Sequence, residues 1–126
     1  MHGLRINDLA PQGFLAYDLR DFLALLGDDA NTLLWHVVGD VWATGERSDE
    51  LEKLADSKER VPSGRLIELA SAVTQVIDGE FAGYLPQDDE PWVIIRAIDS
   101  SYYEFICRAP EILRRARDRF VHAIDC

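Results

Sequence analysis

His36 sits inside a well-patterned segment with Asp40 four residues later, a spacing that on a helix would stack imidazole and carboxylate on one face. That is the geometry of an acid–base or metal pair. On a strand the two still share a face but stand ~13 Å apart, beyond the reach of either chemistry. The surrounding valines favour a strand, so His36 reads as a core-edge or solvent-facing histidine. Asp88-Asp89-Glu90 resembles a fragment of a cation site. Calcium loops, however, alternate their oxygen ligands around a turn glycine, and this run has neither feature. Asp99-Ser100-Ser101 sets carboxylate beside hydroxyl, but a serine nucleophile needs a separate, oriented base, and such residues in a turn bond their own backbone. Cys107 closes an apolar run and reads as a small buried hydrophobe, although Arg108 would lower its pKa if it were exposed. With Cys126 it suggests reduced thiols rather than a disulfide framework. From these patterns neither a catalytic group, nor a metal, nor a cofactor is expected.

The aromatic and charged residues say more. Trp35, Trp42, Tyr84, Trp92, Tyr102 and Tyr103 all fall in segments with strand character. If pairing leaves Tyr84, Tyr102 and one tryptophan on an exposed face, they form an amphipathic patch of the kind interfaces use. Carboxylates at Asp49, Glu50, Glu52, Asp88, Asp89 and Glu90 would frame that patch and suit it to an arginine-rich protein. Base is local instead: Arg108, Arg114, Arg115, Arg117 and Arg119 lie in the last 20 residues, which carry a net +2, while residues 1–106 carry −12. Those arginines are expected to form internal ion pairs or, through Arg114 and Arg117, to meet a second copy of the chain.

The totals bound the answer. At 126 residues with 48% apolar and 29% charged content, the chain is expected to form one domain, residues 1–126, with a core of its own. Its formal charge of −10 opposes nucleic acid and anionic membrane and attracts basic partners over about a Debye length. Residues 1–10 lack the basic and apolar regions of a signal peptide, and no apolar run approaches the ~20 residues of a membrane span. A cytoplasmic location follows as the expectation.

The elements that must position these groups can be read from periodicity. Leu15, Leu19, Phe22, Leu23 and Leu26 keep a helical spacing that Gly27 ends, predicting a helix over 14–26. Residues 33–44 fit two periods. Leu33, Trp35, Val37, Val41 and Ala43 alternate as on a strand, with Gly39-Asp40 as a hairpin turn or bulge, while Leu34, Val38, Val41 and Trp42 also fit a helical stripe; the valines favour the strand. Ser48 caps a short acidic helix running toward Lys58 and Arg60. Leu66, Leu69, Ala70, Val73, Val76 and Ile77 predict a helix over 65–77 that Asp78-Gly79 stops. Residues 80–85 read as a strand, 86–91 as an acidic loop fenced by prolines, and 92–107 as a hairpin turning at Asp99-Ser100-Ser101. Pro110 opens a final helix expected to run to about Ile124.

The fold expected is α+β: a mainly antiparallel sheet of four or five strands, helices packed against it, and the C-terminal helix lying on the sheet. The leading functional expectation is a non-enzymatic acidic protein that neutralises a basic protein partner, as a bacterial immunity or inhibitor protein does. One alternative is a self-associating structural or regulatory subunit, a homodimer joined through Arg114 and Arg117. The other is an enzyme or small-ligand binder with a pocket between sheet and helices, lined by His36, Glu80, Tyr84, Arg96, Asp99 and Tyr102.

Overall fold

The computed structural model describes residues 2–57 and 59–126. Lys58, expected near the end of the acidic helix, lies outside them. Strands are β1 (His2–Ile6), β2 (Leu34–Gly45), β3 (Val61–Pro62), β4 (Val73–Tyr84), β5 (Val93–Ile98), β6 (Tyr102–Cys107) and β7 (Ala123–Asp125). Helices are α1 (Leu19–Leu26), α2 (Ser48–Lys53), α3 (Ser63–Ala72) and α4 (Pro110–Arg119), with 3-10 turns at Gly27–Thr32 and Leu54–Asp56. All seven strands join one antiparallel sheet in the order β3–β2–β4–β5–β6–β1–β7. The class is α+β as expected, but the strand count of four or five is corrected to seven among the described residues.

The first helix starts five residues inside the predicted span because Asp18 is its N-cap: the Asp18 N–H donates to the Asp21 carboxylate at 2.8 Å, half of a capping box. Gly27, at φ 58°, ends it in a conformation a side chain resists. The helix expected over 65–77 stops at Ala72. From Val73 onward, in a stretch rich in β-branched residues, Val73, Gln75, Val76 and Asp78 pair with β2, which outweighs the helical spacing of Val73, Val76 and Ile77. Asp78 and Gly79 therefore lie within β4 and end nothing.

The expected strand over 33–44 is present as β2, and Gly39-Asp40 is a bulge rather than a turn. Val38 opposes Glu80 and Trp42 opposes Asp78, so residues 39–41 face the single Gly79, with Gly39 at φ 67°. Two surplus residues preserve parity. Trp35, Val37, Val41 and Ala43 thus all reach the core, as their alternation requires. The 92–107 hairpin forms with Val93 opposite Cys107 and Ile98 opposite Tyr102.

The last helix ends at Arg119 rather than near Ile124. Beyond it, the N–H groups of Val121 and His122 donate to Asp8 at 2.8 and 2.6 Å, and the chain turns into β7 beside β1. The helix buries Ile112, Leu113 and Ala116 over β6 and leans on α1, so it covers one end of the sheet rather than its whole face.

One layer is therefore helical. Leu19, Phe22, Leu23 and Leu26 of α1, Leu51 of α2, Leu66, Leu69 and Ala70 of α3, and Ile112 and Ala116 of α4 share one core with Leu4, Trp35, Phe81, Ile95, Tyr103 and Phe105 of the sheet. Trp35 is fully enclosed, its indole N–H donating to Ser63 Oγ at 2.7 Å at the start of α3. No helix among the described residues is long and apolar enough to cross a membrane.

Candidate functional site: the uncovered face of the sheet

Strand alternation fixes what lies on the side away from the helices. Across the middle run Val38, Glu80, Arg96, Glu104 and Arg5, each opposite the next. These make a charge ladder: Arg96 Nε to Glu80 Oε1 at 2.5 Å, Arg96 to Glu104 at 3.6 Å, and Arg5 to Glu104 at 3.6 Å. Two guanidiniums and two carboxylates leave this row neutral. The Glu80 hydrogen bond pushes the Arg96 guanidinium above its ordinary value, and burial works against it. On one side lies a row of His36, Ala82, Ile94, Ile106 and Gly3. Gly3 has no room for a side chain there, since a Cβ would fall 2.7 Å from Ile106 Cγ1. On the other side Trp42 opposes Asp78, and Ile98 opposes Tyr102.

Tyr102 and Tyr84 are each covered by an arginine, Arg5 at 4.3 Å from one ring centroid and Arg60 at 3.8 Å from the other. Trp42 is 57% exposed. Five strands at about 4.8 Å spacing and four rows at about 6.7 Å give a face of roughly 20 Å by 20 Å.

Carboxylates stand at both ends. Asp40 lies in the β2 bulge, and Asp78 accepts the N–H of Asp99 at 2.8 Å, which gathers them at one end. At the other end Arg60, stacked on Tyr84, donates to the Asp88 carbonyl at 2.9 Å, so 86–91 flanks the face there; Glu90 reaches Arg108 at 3.8 Å.

The expected site residues are thereby sorted. Tyr84 and Tyr102 lie on the uncovered face, and Asp88, Asp89 and Glu90 lie at its rim. Asp49, Glu50 and Glu52 belong to α2, on the helical side near Ala43, some nine residues of β2 or roughly 30 Å from the 86–91 loop. There Glu50 binds Arg47 and Arg65, and Glu52 accepts the Ala43 N–H at 3.1 Å. The Arg47 hydrogen bond holds the Glu50 carboxyl below its usual range. His36, Glu80, Tyr84, Arg96 and Tyr102 do not line a pocket between sheet and helices, because that space is filled by core side chains and all five face the other way. Asp99 is in the β5–β6 turn. Arg117 pairs with Asp125, while Arg114 has no ionic partner among the described residues.

Sequence reasoning missed Asp18. It is buried, accepts the Tyr103 hydroxyl at 2.5 Å and the Val76 N–H at 3.1 Å, and burial raises its pKa. A groove of about 290 Å³ beside it is lined by Phe14, Tyr17, Arg20 and Gln75. Both donors to Asp18 are structural, one from β4 and one from β6. Among the described residues no group of three His, Cys, Asp or Glu side chains converges as metal ligands do. Comparison with protein-family models, curated proteins and solved structures returned no significant match.

Proposed function

We propose that this is a non-enzymatic binding protein that takes a basic protein partner on the uncovered face of its sheet and neutralises it, as an inhibitor or immunity protein does. The observation that carries the reading is the anatomy of that face: a half-buried centre of isoleucines, aromatics and self-neutralised charge, with Asp40, Asp78 and Asp99 at one end and Asp88, Asp89 and Glu90 at the other. Stable interfaces have an apolar core and a polar rim, and a rim of one sign selects a partner of the other. The molecule's charge of −10 steers such a partner inward before contact. Affinity capture from the native cell lysate tests it. The wild type should retain a basic protein that elutes as salt rises, and an Ile94→Arg, Ile106→Arg variant should lose it. Equal capture by both proteins would remove the face from the account.

Self-association is a second reading, favoured by Arg114, which has no ionic partner among the described residues, and by β7, whose outer edge no strand among those residues covers. Sedimentation of the wild type against an Arg114→Glu, Arg117→Glu variant decides it: a dimer that the variant loses is the expected result, and two monomers end it.

A further inference from the structure

Three arginines at the edge of the sheet meet in a cavity of about 370 Å³, where β1, β6 and β7 end beneath α4. Local sequence brings them there. Pro110, Arg114 and Arg117 fall at i, i+4 and i+7 of α4, a single stripe beside the core positions Ile112, Leu113 and Ala116. Arg108 leaves the end of β6, where its backbone N–H donates to the Trp92 carbonyl at 3.0 Å and so fixes the point of departure. β1 sets His2 opposite Cys107, and β7 brings Asp125 in opposite Leu4.

Among its side chains the lining holds three guanidiniums against one carboxylate. Asp125 is committed to Arg117, and Arg108 has only Glu90, 3.8 Å away with a side chain 83% exposed. Arg114 is unpaired among the described residues. A local cation excess at the surface of a molecule of charge −10 attracts anions, and size decides which. A polyanion laid across the surface meets the acidic body. A compact anion inside the cavity meets guanidiniums first, because charges beyond about 8 Å are largely screened at physiological salt.

Guanidinium forks match the oxygens of phosphate. The cavity also lies within the roughly 300–1,000 Å³ range of small-molecule sites and has an apolar wall of Pro110 and Leu113. The geometry points to a binding site for a small phosphomonoester, its phosphate held by Arg108, Arg114 and Arg117 and its organic part against Pro110 and Leu113. Burial pushes the neighbouring Cys107 thiol up, so the cavity holds its ligand without a thiolate to attack it.

The test is a titration of the ¹⁵N-labelled protein with inorganic phosphate, then with phenyl phosphate, at ionic strength held constant with sodium chloride. Saturable shifts are expected at the amides of Arg108, Leu113, Arg114 and Arg117, with phenyl phosphate binding more tightly than phosphate. Arg114→Gln, an exposed change that leaves the core untouched, should weaken both about tenfold or more, and Arg108→Gln should do the same. Shifts that chloride alone reproduces, shifts that follow protein rather than phosphate concentration, or wild-type affinity in both variants would each overturn the assignment.

Discussion

Asp18 shows how much one side chain can carry when nothing around it is free to adapt. Its carboxylate accepts from Tyr103 in β6 and Val76 in β4, while its backbone N–H donates to the Asp21 side chain in the first turn of α1. Asp18→Ala strands two buried donors and should cost about 3 kcal/mol in urea unfolding, against about 1 kcal/mol for Tyr103→Phe. The pH dependence has a definite sign. Burial raises the folded-state pKa above the ordinary 3.8, so the folded protein binds this proton more tightly than the unfolded chain. The resulting stability is full below pH 3.8 and is lost as pH rises through the native value. The stability of the wild type relative to Asp18→Asn should therefore fall across that window. A difference that rises instead would mean that the hydrogen bonds from Tyr103 and Val76 outweigh burial and hold the pKa down. None of this is legible in the sequence, where Asp18 falls outside the helical stripe of Leu15, Leu19, Phe22, Leu23 and Leu26.

At the scale of elements, local signals served where local forces decide and failed where a distant partner does. The 92–107 hairpin was readable because alternation and turn residues act within a few positions, whereas β2 also fits a helical stripe and only its valines favour the strand. The helix over 65–77 was too long because Val73, Val76 and Ile77 fit both periods, and only pairing with β2 chooses between them. Residues 120–124 fit a helix for the same reason, until Asp8, more than a hundred residues away, captures the N–H groups of Val121 and His122. β1 left a faint trace in the alternation of Leu4 and Ile6, too short to weigh without knowing that β6 and β7 flank it. Asp8→Ala should accordingly release β7 first: the Val121 and His122 amides should exchange with solvent far faster, while those of Phe81 and Ile95 stay protected. Uniform acceleration across the sheet would show instead that Asp8 supports the whole fold.

For the whole molecule, charge and coverage give the functional account. The acidic total and the aromatic content were visible from composition. That Tyr84 and Tyr102 share an uncovered face, with Asp88, Asp89 and Glu90 at its rim and α2's carboxylates on the other side, depends on strand order that no local pattern encodes. Reversing Asp88, Asp89 and Glu90 to lysine should slow association with the basic partner strongly at low salt and much less at high salt, leaving dissociation little changed. Association unchanged at low salt would remove electrostatic steering. The most direct measurement is hydroxyl-radical footprinting of the protein alone and bound to the partner it captures. Trp42, Tyr84, Tyr102 and Ile94 should become protected while Phe14 and Leu9, exposed away from that face, keep their reactivity. Protection at Phe14 and Leu9 with the face unchanged would place the partner elsewhere and contradict the account.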